Sequence, residues 1–140
     1  MTAECPRGYN CVTIPDRPSL AILQRFVSLL GVFPYTTLAK DKKWQPGPYA
    51  GVELLVLHKN ETTGGVTVLR KFSAGTKVPD HIHPLANESV YVLEGEWEES
   101  GVVYTAGAFF FAPKGTRHGP HIARTEVISL TIFDGPLTVA

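Results

Sequence analysis

From residue 51 onward the chain is a series of short β-rich runs cut by turn residues, and this rhythm limits the available folds more than any other feature. The runs are VELLVLH (52–58), VTVLRKF (66–72), SVYVLEG (89–95), VVYT (102–105), AFFFAP (108–113) and TEVISLTIF (125–133). Between them lie Asn60 to Gly65, Ala74-Gly75, Glu98 to Gly101, Gly107, Lys114-Gly115 and Gly119-Pro120. These are the residue types that turns use for left-handed or fixed backbone angles. Strands at this spacing predict an all-β sandwich or barrel. No helical segment alternates with them, so a parallel βαβ fold is excluded.

Residues 1–48 read differently, as an irregular extension broken by Pro15, Pro18, Pro34, Pro46 and Pro48. Within it Ser19 can cap a short helix whose apolar positions Leu20, Leu23, Phe26, Val27 and Leu30 recur at helical spacing, and Gly31 ends it. Such a helix is expected to cover the β domain (residues 49–140) or to mediate a homodimer. The apolar stretch is too short to span a bilayer and Arg25 interrupts it. The N-terminus lacks a signal-peptide pattern, and Cys5 and Cys11 read as reduced thiols, so a cytoplasmic location is expected. Thirteen basic residues balance 13 acidic ones, which gives no reason to expect nucleic acid or an anionic membrane as a partner. The sequons at Asn60 and Asn87 read as chance matches.

The chain has five histidines, and their placement carries the chemistry. His81 and His83 lie two apart, and in an extended segment such residues share a face. Glu88 opens the next β run, where a chain reversal can return its carboxylate to that face. His118 follows a turn at Pro113 and Gly115. Three imidazoles and a carboxylate form a mixed N/O set suited to Fe, Mn, Ni, Cu or Zn, with positions left for a small ligand. His58 has no partner at ligand spacing and is expected on the surface or in a hydrogen bond. His121, three residues after His118, is expected to face the opposite side. In VTVLRKF, Val66, Val68, Arg70 and Phe72 alternate. Either Arg70 is a buried cation suited to a substrate oxyanion, or it leans to solvent beside Lys71. Phe72, Phe109 and Phe111 are candidate walls of a substrate pocket.

Two glycine-framed segments resemble a known superfamily. Gly75, His81, His83, Glu88 and Gly95 fill every fixed position of the first cupin motif. Gly107, Pro113, Gly115 and His118 fill the second, except that Ile122 stands where the pattern has Asn. The resemblance implies an antiparallel double-stranded β-helix, or jelly roll, with a metal inside held by His81, His83, Glu88 and His118. The phrases FAPKGTRHGP and TIFDGPL resemble small cupins grouped with acetylacetone dioxygenase, 2,4'-dihydroxyacetophenone dioxygenase and the cupin part of zinc-binding anti-sigma factors. The first two imply one Fe(II) per chain, a small diketone or hydroxyaryl ketone as substrate, and O2. A non-redox isomerase or cyclase, or a sensory metal-binding domain, are the alternatives that the resemblance leaves open.

Overall fold

The computed structural model describes residue 33 and residues 35–140. The helix expected from Ser19 and both cysteines lie outside the described residues. The chain divides into two compact units, 1–36 and 37–140, and the second carries all the strands below. Residues 37–48, read above as part of the extension, contribute a 3-10 turn at Ala39–Asp41 and a strand to this unit.

Ten strands are present among the described residues. They are β1 (Gln45–Pro46), β2 (Val52–Lys59), β3 (Val66–Phe72), β4 (Lys77–Val78), β5 (Glu88–Glu94), β6 (Trp97–Glu99), β7 (Val102–Tyr104), β8 (Phe109–Ala112), β9 (His121–Ala123) and β10 (Val127–Phe133). They form a six-stranded sheet in the order β1-β2-β3-β10-β5-β8 and a four-stranded sheet in the order β4-β9-β6-β7. Every pairing is antiparallel. This is the expected all-β jelly roll.

The longer β runs of the sequence are the strands of the large sheet. The small sheet was less visible, because β4, β6 and β9 are two or three residues long. Glu98 and Glu99, expected in a turn, are instead in β6. The turn is confined to Ser100-Gly101, where φ is 50° and 85°, and Glu99 pairs with Val102 across it. Two consecutive positive φ values suit the right-handed twist of a tight hairpin.

The core is contributed by both sheets. Val52, Phe72, Val78, Val92, Trp97, Ala123 and Val127 form its main cluster, and Val68, Ala86 and Phe133 form a second. Along β10 the inward side chains are Val127, Ser129, Thr131 and Phe133, all buried. The more apolar series, Ile128, Leu130 and Ile132, lies on the other face, where Ile132 is 45% exposed. Period-two alternation thus locates the strand, while hydrophobicity by itself would choose the wrong inner face. Ser129 and Thr131 thus put small polar side chains in the interior between β3 and β5, which flank β10.

Candidate metal centre

The four residues singled out by spacing converge. One ligand atom from each of His81, His83, Glu88 and His118 lies within 4.8 Å of those from the others. His81 and His118 face each other in an isolated two-way bridge. His81 N–H donates to the His118 carbonyl at 2.9 Å, and His118 N–H donates back at 3.0 Å. Neither lies in a regular strand. His83 is tied across the same gap, since its carbonyl accepts the Gly115 N–H at 2.9 Å. Asn87 fastens the return loop by accepting the Lys114 N–H at 2.8 Å and donating to Asp134 Oδ2 at 2.6 Å. Its side chain therefore has a structural task at the apparent sequon, and Glu88 then starts β5 with its carboxylate inside.

Each histidine presents the same nitrogen to the centre. The Nδ1 atoms of His81, His83 and His118 lie 2.8, 2.7 and 3.0 Å from the carbonyls of Pro79, Thr138 and Thr116. A carbonyl only accepts, so Nδ1 carries the proton and Nε2 keeps a lone pair. That is the arrangement by which outer hydrogen bonds orient imidazole ligands. The Nε2 atoms of His83 and His118 are buried without a hydrogen-bond partner, and they sit 3.2 and 3.0 Å from Glu88 Oε2. Lone pairs facing a carboxylate oxygen repel unless a cation lies between them. The donor set, the tautomers and the orphaned nitrogens all fit a divalent transition metal.

Arg70 is buried, as alternation allowed, but its partner is internal. Its Nη1 lies 2.8 Å from Glu88 Oε1, and its guanidinium sits 5.4 to 5.9 Å from the ring centres of Phe72, Trp97 and Phe133. Glu88 thus takes up Nη1, while Nε and Nη2 of Arg70 are buried without a hydrogen-bond partner. Burial works against ionisation of Glu88, but the Arg70 charge, with the adjoining His118 and His83 rings, outweighs it. The carboxyl is held well below its ordinary range. Burial pushes His81 down, towards the neutral form that ligation requires. His118 is pushed up, chiefly by its contact with Glu88.

A cavity of about 210 Å³ opens beside Glu88 and His118, walled by Val90, Trp97, Phe110 and Ala112. Phe110 packs against Trp97 and Tyr104. Phe109 and Phe111 are the expected walls, but the inward member of the run is their neighbour Phe110. In the β5–β8 ladder Phe110 pairs with the inward Val90, and Phe109 and Phe111 are 61% and 57% exposed; Phe111 nevertheless lines the cavity, whereas Phe109 does not. A run of three identical residues carries no parity signal. Phe72 is a core residue, and with Arg70 it borders a separate space of about 30 Å³. His58 is exposed near the end of β2 and is not one of the clustered residues.

His121 departs from expectation. It lines the cavity, with its ring 5.6 Å from that of His118 and 5.3 Å from that of His81. Simple alternation fails because Gly119, with φ of 102°, turns the chain between the bridge at His118 and the start of β9. Its partner Glu99 also lines the cavity. Burial opposes ionisation of Glu99, yet His121, the Gly119 N–H and the Trp97 indole together hold the carboxyl below its usual range. The pair was not visible in the sequence because it forms across the β6–β9 ladder.

The family described as the ChrR cupin-like domain matches residues 35–138. No curated protein matches the chain by sequence. Among solved structures, an RmlC-like cupin from Shewanella frigidimarina is 26% identical with a TM-score of 0.62, over 74% of this chain and 91% of that one. An RmlC-like cupin from Ralstonia eutropha is 23% identical with a TM-score of 0.62, over 76% and 79%. An acetylacetone dioxygenase from Acinetobacter johnsonii is 18% identical with a TM-score of 0.61, over 96% and 81%.

Proposed function

Because the chain belongs to the ChrR cupin-like family, we propose that it is a metal-dependent cupin enzyme, a non-haem Fe(II) dioxygenase that cleaves a C–C bond beside a carbonyl in a small diketone or hydroxyaryl ketone. The observation that carries this reading is the apolar-walled cavity of about 210 Å³ directly beside Glu88 and His118. A purely structural metal site would be closed by its ligands and neighbours. Here there is room for a small organic molecule next to the ligand set.

When bound, the ion supplies Lewis acidity toward a ketone oxygen and, as Fe(II), the electrons that a reaction with O2 draws on. The chain's own residues do the rest. His81, His83 and His118 offer neutral Nε2 atoms fixed by backbone carbonyls. Glu88 brings one negative charge, and Arg70 engages Oε1 so that Oε2 is the oxygen turned to the imidazoles. Val90, Trp97 and Phe110 exclude water from the ketone's carbon skeleton. Low polarity there strengthens every charge interaction at the reacting oxygen.

The test is an oxygen-electrode assay on protein loaded anaerobically with Fe(II), using pentane-2,4-dione and hydroxylated aryl ketones. The expected result is O2 uptake matched one-to-one by loss of ketone and appearance of a carboxylic acid. Ketone turnover with no O2 uptake would point to the isomerase or cyclase alternative. No turnover of any ketone, with metal tightly held, would favour a sensory role.

A further inference from the structure

The cavity has a second polar pole that the metal ligands do not explain. Glu99, at the end of β6, pairs with His121, at the start of β9, and Glu99 Oε2 hydrogen-bonds His121 Nδ1. The same Oε2 accepts from the Trp97 indole at 3.3 Å, while Oε1 accepts the Gly119 N–H at 2.8 Å. Three donors thus fix the carboxylate, and the carboxylate fixes the imidazole. With the proton on Nδ1, the neutral ring keeps a lone pair on Nε2. Both residues line the same cavity as Glu88 and His118. The remaining walls named above are apolar, so an acceptor at this position rewards a donor on the ligand and penalises a group that cannot donate.

We infer that His121, oriented by Glu99, is a substrate-binding residue that accepts a hydrogen bond from a hydroxyl group near the ketone carbonyl, so that the cavity selects small hydroxyketones over their ethers. The His121 ring lies 5.6 Å from that of His118. The hydroxyl therefore sits close to the metal-seeking oxygen, as in an α-hydroxyketone, and not at the far end of a long molecule. Glu99 is a positioning residue here, because it acts through His121. The inference rests on the cavity being a substrate site, as proposed above.

The experiment is calorimetric titration of zinc-loaded protein at pH 8 with 2-hydroxyacetophenone and with 2-methoxyacetophenone. Zinc supports no O2 chemistry, so the result stands whether or not the dioxygenase reading survives. Wild-type protein is expected to bind the hydroxyketone about tenfold more tightly than its methyl ether, the value of one hydrogen bond to an otherwise unpaired acceptor. In His121→Phe the two ligands should bind within about twofold of each other, with zinc content unchanged. General damage to the fold would weaken both ligands together and leave their ratio alone. Glu99→Ala should shrink the ratio as well, by freeing the ring to adopt the other tautomer. A tenfold preference that persists in His121→Phe overturns the inference. So does a wild-type protein that binds the two ketones equally, or that binds neither at millimolar concentration, and the wild-type comparison stands even if the variants do not fold.

Discussion

Glu88 is where the electrostatics of the site meet. Arg70 holds one oxygen at 2.8 Å, and two imidazole nitrogens face the other. Removing one partner of such a buried pair leaves an uncompensated charge, at about 3–5 kcal/mol. Arg70→Leu should therefore destabilise the metal-free protein by that order in a denaturant titration, and added divalent metal should restore part of the loss. A change below about 1 kcal/mol would show that Glu88 does not depend on Arg70. Acid should act on the same contact. The Glu88 carboxyl titrates lower in the folded chain than its ordinary value of 4.5, so its contribution is complete above that value. It is lost as the pH falls below it, because the unfolded chain then binds the proton first. In metal-free protein, Glu88→Gln should flatten the fall in stability below pH 4.5. An equally steep fall in that variant would assign acid sensitivity elsewhere. The four clustered residues were legible from their spacing and the two glycine-framed motifs, whereas strand parity left Arg70 open between an inward and a solvent-facing position. Its partner was not, because Arg70 and Glu88 belong to strands separated by β10, and no local pattern encodes contact across an intervening strand.

At the level of elements, the long strands could be read and the short ones could not. A two- or three-residue strand such as β4 or β9 has too few positions for alternation to register. Its existence is decided by what lies alongside, here β6 for β9. The two glycines that frame the first histidine segment also prove unequal. Gly95 has φ of 88°, and a Cβ there would come within 2.1 Å of the Glu126 carbonyl oxygen and 2.9 Å of Val127 Cα. Gly75 has φ of 81° but open space around it. Both substitutions pay the left-handed penalty of about 1–2 kcal/mol, and only Gly95→Ala adds a backbone collision where β10 begins. Thermal unfolding should therefore show Gly95→Ala losing clearly more stability than Gly75→Ala. Equal losses would mean that the approach of Gly95 to Glu126 is not a constraint.

For the molecule as a whole, two sheets enclose a polar centre, and the fold exists around it. Cross-strand register places Leu130, Tyr91 and Phe109 in one row on the outer face of the large sheet, and Tyr91 and Phe109 are 45% and 61% exposed. We propose the homodimer expected from the N-terminal stretch of the sequence, for which sedimentation should give twice the mass of the chain at micromolar concentration. A monomer at that concentration would contradict it. No helix among the described residues is long and apolar enough to cross a membrane. The central claim concerns the interior. It is tested most directly by elemental analysis of wild-type and His118→Ala protein, each loaded with excess Fe(II) or Zn(II) and then freed of loosely bound ions. One metal ion per chain in the wild type, with little or none in His118→Ala, is the result expected of a centre built from His81, His83, Glu88 and His118. Equal retention by both proteins would contradict it.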